Sequence, residues 1–498
     1  MRESGILLHI TSLPSPHGIG TLGREAYEFV DFLKAAGQKY WQILPLGPTG
    51  YGDSPYQTDS AFAGNPYLID LDILAEEGLL TAEEIAAAPM GDDPRRVDYG
   101  ALYAARWGLL RLAFQRGRDR EREAVEAFYR ENEGWLRPYA LFFAAKRHFG
   151  GGPWTEWPDD DLRLRRGEEV LLRYEEELRE DRAFCVFLQY LFFRQWNALR
   201  NYIHDSGIRI IGDVPIYVPL DSADVWAEGK YFLLDDQCRP VEVAGVPPDY
   251  FTADGQLWGN PLYDWKKMEE DGFDWWIRRM RAAGRLYDVV RIDHFRGLES
   301  YWAVPYGDTT ARRGVWRPGP GKTFVTAIKT ALPELDVIAE DLGYLTPEVE
   351  ELRRFSGFPG MKILQFAFDP HGDSEYLPHR IEPNSVCYFG THDNLTLGQW
   401  LDTVDDNSIA FAREYLGLNA EEGYPFGLLR GGMGCPANLF VAQMQDWLGV
   451  GAEGRMNEPG ILGHGNWCWR MDAGAASGAL AERICRMTRL YGRAGESE

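Results

Sequence analysis

Four short apolar runs end in groups that can move protons or attack carbon. "IIGDVP" delivers Asp213, and "VVRIDHFRG" delivers Arg291, Asp293 and His294. "VIAEDLG" delivers Glu340 and Asp341, and "CYFGTHDN" delivers His392, Asp393 and Asn394. One aspartate at a strand end is often only the N-cap of the next helix. Several together, two beside a histidine, describe a site. Two chemistries use converging carboxylates. A metal centre needs close-spaced His or Cys ligands as well, and the Asp-His and His-Asp pairs leave that open on spacing alone. Glycosyl transfer needs one ionised and one protonated carboxyl. Arg291 lies two residues before Asp293, hence on the same strand face, where its charge is expected to keep Asp293 ionised as a nucleophile. Glu340 follows Val337, Ile338 and Ala339; apolar, carboxylate-rich surroundings raise a carboxyl's pKa and suit a general acid. Asp393 is then left to hold sugar hydroxyls and developing positive charge.

These side chains need a frame that brings separate strand ends to one mouth. Eight apolar runs can supply it: 5–15, 40–48, 208–218, 289–297, 336–343, 361–368, 386–394 and 465–471. Helical patterns separate several of them. In "REAYEFVDFLKAAG", Ala26, Phe29, Val30, Leu33 and Ala36 share one face, and Gly37 stands where a C-terminal cap belongs. Strands alternating with helices imply a parallel sheet, and eight of them a (β/α)8 barrel with its site at the strands' C-terminal ends. A plain barrel takes about 250 residues. The chain's 498 residues are therefore read as one catalytic barrel, 1–498, with inserted, mainly helical subdomains at about 49–207, 219–285 and 395–460.

Charge and composition exclude several classes. With 52 basic against 76 acidic residues, the formal net charge of −24 repels phosphate backbones and anionic lipid. Neither nucleic acid nor membrane is expected as a partner. No run of about 18 apolar residues offers a membrane span. The N-terminus lacks a signal-peptide pattern, and the six scattered cysteines form no CxxC pair. Both point to reduced thiols in the cytoplasm. "WRPGPGKT" (316–323) imitates a phosphate loop, but Trp316 stands where the first glycine belongs and no strand is read before it. No DxDxDG calcium loop is visible, and the chemistry requires no cofactor and no metal.

The motifs "GILLHITSLPSPHGIGTLG", "SPYQTDSAFAGNPYLIDL", "GDVPIYVPLDSADVW", "GVPPDYFTADGQLWGNPLYDW", "RIDHFRGLESYW", "IAEDLG", "FAFD", "THDN" and "GNWCWR" run in order along nearly the whole chain. Together they resemble the amylomaltase family, which comprises bacterial 4-α-glucanotransferases and plant disproportionating enzymes. The resemblance implies Asp293 as nucleophile, Glu340 as acid/base and Asp393 as transition-state stabiliser. It further implies that Asp213, Arg291, His294 and His392 line the central sugar subsite. Tyr56, Trp258 and Asn466 would bind neighbouring sugars, and Tyr250 and Phe251 would form a lid on the acceptor side. Where the wider amylase group carries an Asn-His pair after the third-strand aspartate, this chain has "DVPIYV", which fits amylomaltases. The chain begins at the first strand, so no appended starch-binding module is expected. The substrates implied are α-1,4-glucans: maltooligosaccharides, amylose and glycogen. Two rivals stand beside transfer: a retaining α-1,4-glucan hydrolase, which would use the same residues, and a silent glycan-binding protein, which would have lost a carboxylate.

Overall fold

A computed structural model describes residues 2–50, 52–248, 252–343 and 345–495. Eight parallel strands form the expected barrel: β1 (Glu3–Leu7), β2 (Tyr40–Gln42), β3 (Arg209–Val214), β4 (Val289–Ile292), β5 (Asp336–Ala339), β6 (Gly360–Ile363), β7 (Ser385–Tyr388) and β8 (Leu439–Gln443). They pair in the order β6-β7-β8-β1-β2-β3-β4-β5. The seam between β5 and β6 has no strand ladder among the described residues. It is bridged by the Ala339 N–H, which donates to the Pro359 carbonyl at 2.9 Å.

The period of two along each strand decides what the barrel holds. Ile211, Val289 and Ile338 lie in one buried interior cluster with Leu7, Met361, Tyr388 and Val441. Their neighbours Ile210, Val290 and Val337 belong to the cluster beneath the outer helices. Two residues on from Ile211 is Asp213, from Val289 is Arg291 and then Asp293, and from Ile338 is Glu340. The interior face thus turns from apolar to ionisable at one level. Register enforces this, with Asp213 beside Arg291 and Ile292 beside Ala339. In the first helix, Arg24–Ala35, Ala26, Phe29, Val30 and Leu33 are buried. Gly37 ends it at φ +69°, the left-handed region open to glycine.

Three local expectations are corrected. First, the eighth strand is Leu439–Gln443, inside the stretch assigned to the third insertion, and not 465–471. Positive φ at Gly463, Gly465 and Trp467 breaks any extended run there. Trp467 and Trp469 are buried against the insertion instead: the Tyr99 hydroxyl donates to the Trp467 carbonyl at 3.1 Å, and Trp469 bridges to Arg96. Second, the elements following β3 and β4 build a four-stranded antiparallel sheet in the order Gln256–Pro261, Glu242–Val246, Ser300–Pro305, Val315–Pro318. Two of its pairings join strands close in sequence, but the central one, Glu242–Val246 with Ser300–Pro305, joins two insertions on either side of β4. Third, the phosphate-loop imitation begins within a strand, Val315–Pro318, and that strand is an exposed edge of the sheet. The large stretch between β2 and β3 is helical as expected, dominated by Tyr99–Gly117, Arg122–His148 and Arg179–Asp205. No helix among the described residues is long and apolar enough to cross a membrane.

Gly212 stands between the two inward residues of β3, and an added Cβ would lie 2.1 Å from the Tyr287 ring. Gly212→Ala is expected to lose about 1–3 kcal/mol through overpacking, read as a lower urea midpoint at unchanged m-value.

Candidate active site

The site is built around one buried cation. Arg291 is 3 % exposed, and its Nη1 lies 2.5 Å from Asp213 Oδ2 and 3.0 Å from Asp293 Oδ1. Side-chain exposure rises from 0 % at Asp213 through 28 % at Asp293 to 39 % at Asp393. The cluster therefore opens from a sealed floor to an accessible mouth. From the floor a second chain of bonds runs outward. The Tyr56 hydroxyl donates to Asp213 Oδ2 at 2.6 Å and lies 2.8 Å from His392 Nε2. Burial and Asp213 hold the Tyr56 phenol well above its usual range, so it stays protonated. Because that proton goes to Asp213, we assign the His392 tautomer with Nε2–H donating to the phenol oxygen. Burial lowers the His392 pKa, and the ring is neutral. It stacks on Tyr56 at 5.3 Å between ring centres, and Trp467 closes the stack 5.8 Å from Tyr56.

Glu340 is held differently. Its Oε2 accepts the His294 N–H at 2.7 Å and its Oε1 the Leu342 N–H at 3.1 Å. The first bond depends on His294 having φ +54°, a conformation uncommon for a residue with a side chain. The His294 ring meets Trp258 edge to face at 4.8 Å. Burial pushes His294 down to about 3, so it too is neutral. Asp393 Oδ1 accepts from Asn457 Nδ2 at 2.7 Å, while its Oδ2 lies 3.4 Å from His392.

One expectation about charge needs correction. Arg291 does contact Asp293, but its single charge is divided between two aspartates. Burial, with Asp213, Glu340 and Asp393 nearby, outweighs the guanidinium and pushes Asp293 up. Burial likewise raises Glu340 to about 7, against the pull of Arg291 and the His294 N–H. Glu340 is among the charges that raise Asp293, so the two carboxyls titrate interdependently. The carboxylates that could draw in a metal already surround a cation, Arg291. Among the described residues no group of three His, Cys, Asp or Glu side chains is disposed to hold a metal ion.

Of the residues singled out from sequence, Asp213, Arg291, Asp293, His294, Glu340, His392, Asp393, Tyr56 and Trp258 meet at this mouth through the contacts above. Asn466 stands apart. Its amide donates to the Glu458 and Ile461 carbonyls at 3.2 and 2.9 Å, and its Oδ1 accepts from the Glu458 N–H at 3.0 Å, folding the loop after Asn457. Tyr250 and Phe251 lie outside the described residues. Asn457 was not found from sequence; it lies in a loop with no strand-end signal. Two buried polar atoms, Asp213 Oδ1 and His392 Nδ1, have no partner among the described residues.

A family model described as 4-alpha-glucanotransferase matches residues 8–475. The chain belongs to the 4-alpha-glucanotransferase family. It is 50 % identical to the 4-alpha-glucanotransferase of Thermus thermophilus, with 98 % of each chain covered. It is 47 % identical to that of Clostridium butyricum, over 98 % of this chain and all of the relative. Among solved structures, the amylomaltase of Streptococcus agalactiae in complex with acarbose superposes with a TM-score of 0.96 at 42 % identity, over 99 % of this chain and 100 % of that one. This family member therefore shares both barrel and insertions with a carbohydrate-bound relative along its whole length.

The raised Glu340 pKa predicts a stability cost. Its folded value of about 7 exceeds the ordinary 4.5, so the folded state binds the proton more tightly and stability falls as pH rises between those values. Glu340→Gln removes that dependence. Its stability relative to wild type should improve between pH 5 and pH 8 by about 1–2 kcal/mol after allowance for solvent screening. Urea titrations of both proteins at the two pH values check this; a pH-independent difference would contradict it.

Proposed function

We propose that the three carboxylates carry out a retaining double displacement, and that Glu340 carries the proton when a glucan binds. The chain is a 4-alpha-glucanotransferase, acting on α-1,4-glucans. The carrying observation is the asymmetry of contacts: Arg291 touches Asp293 directly at 3.0 Å, whereas among the described residues the hydrogen bonds to both Glu340 oxygens come from backbone N–H groups. A direct cation favours the ionised form, so Asp293 is the nucleophile and Glu340 the acid. Glu340 gives its proton to the glycosidic oxygen while an Asp293 oxygen attacks the anomeric carbon. The shortened glucan leaves and a glycosyl ester remains. Glu340, now a carboxylate, takes the proton from the 4-OH of an acceptor glucan or glucose. That oxygen displaces Asp293, which regenerates the enzyme. Asp393, pinned by Asn457, stabilises the positive charge that develops on the sugar.

Asp213 and His392, 0 % and 1 % exposed, serve the central subsite from beneath, Asp213 by pairing with Arg291 and His392 by lying 3.4 Å from Asp393. Trp258 and Tyr56 offer faces for adjoining sugars, and Asn466 contributes through the loop it holds. For Tyr250 and Phe251, contact with the acceptor sugar rests on the family resemblance. The finer substrate range proposed is maltooligosaccharides, amylose and glycogen. The six cysteines are unpaired thiols, which supports a cytoplasmic location.

Incubation with maltotriose tests the reading. Longer glucans plus glucose at constant reducing ends are expected; rising reducing ends without longer products would mean a hydrolase. Asp293→Asn should lower kcat by about a thousandfold or more while glucan binding persists. The kcat/KM profile should be bell-shaped, falling as pH rises through about 7, where Glu340 loses its proton.

A further inference from the structure

Asp341 lies beside Glu340 but faces away from the mouth, and it is 4 % exposed. Both its oxygens are engaged. Oδ1 accepts the Met361 N–H at 2.7 Å, and Oδ2 lies 3.1 Å from Arg353 Nε. Met361 belongs to β6, across the seam where β5 and β6 lack a strand ladder. The Asp341 side chain thus supplies at the seam a bond that a strand would supply elsewhere. The fit is close. A Cβ on Gly360 would lie 2.4 Å from Asp341 Oδ2, and Gly360 has no positive φ to account for a glycine. Bare backbone at 360 is what lets the carboxylate reach across.

We infer that Asp341 is a positioning residue that latches the barrel seam beneath Glu340 and sets the proton affinity of that acid by its charge, with Arg353 as the counterweight. The inference rests on Glu340 acting as the acid. Asp341's negative charge, one residue away, favours the protonated form of Glu340. Among the described residues Arg291 opposes it, and Glu340 in turn raises Asp293. The Tyr376 phenol, also beside both acids, is pushed up to about 12 and stays neutral. Burial raises the pKa of Asp341 itself, against the Met361 N–H, Arg353 and Lys362, which favour the carboxylate. Both cations are shared outward, Arg353 with Glu382 at 3.8 Å and Lys362 with Glu375. Because Arg353 neutralises part of Asp341, removing either one should move Glu340 in opposite directions.

The test is the pH profile of kcat/KM on maltotriose for wild type, Asp341→Asn and Arg353→Gln. Asparagine keeps an acceptor for the Met361 N–H and loses the charge. Its basic limb should shift to lower pH by on the order of half to one pH unit, and that of Arg353→Gln to higher pH by a similar amount. If Asp341→Asn does not fold, Arg353→Gln alone still carries the upward shift. A purely structural latch would scale the rates and leave both limbs where they are; superimposable profiles overturn the inference. Wild type assayed on an α-maltosyl fluoride, whose leaving group needs no proton, separates the two readings. If the basic limb disappears, superimposable profiles count against Asp341 alone. If the limb survives, the acid assignment fails and this inference with it.

Discussion

The active site depends on placing one guanidinium almost wholly out of solvent. Arg291 is held between Asp213 and Asp293 at the level where the barrel interior changes from apolar to ionisable. Such a group is tolerable in low dielectric only if paired, and removing a partner from a buried pair is worth about 3–5 kcal/mol of stability. The pairing fixes Asp293 at the mouth and Asp213 on the floor. It also anchors Tyr56, and through it His392. Four segments of the chain are thereby set relative to one another by a single charge, before any sugar arrives.

The remaining acid is held by the backbone instead. Glu340 accepts N–H groups from His294 and Leu342, the first available only because His294 has a left-handed backbone. That arrangement leaves the carboxyl without a cation of its own, surrounded by other carboxylates, and its proton affinity rises in consequence. Two carboxyls in one mouth come to differ because one touches a guanidinium and the other touches amides. This is how a symmetric requirement, two acids, becomes an asymmetric mechanism.

Much of this was legible in the sequence, for identifiable reasons. An arginine and an aspartate two apart on a strand must share a face, so Arg291 and Asp293 could be read together. Glu340 and Asp393 followed from the same logic of strands ending in charge. The antiparallel sheet was not legible as one unit, because its central pairing joins segments on either side of β4. Aromatic density at 465–471 imitated a strand, while the true eighth strand, Leu439–Gln443, ends in a glutamine with no ionisable residue to mark it. Asn457 was missed because a loop residue that orients a carboxylate has no periodicity to betray it. The division of Arg291's charge between two aspartates is a property of three dimensions, and it reversed the expected direction at Asp293.

The most direct test of the account is to trap the ester. Glu340→Gln should accept an α-maltosyl fluoride, since fluoride leaves without a proton, yet release the sugar slowly, since no base remains to activate the acceptor. Peptide mass spectrometry after an acid quench should then find one maltosyl unit on the peptide containing Asp293, fragmenting to that residue. A label on Asp393, or no label while fluoride is still released, would contradict Asp293 as the nucleophile.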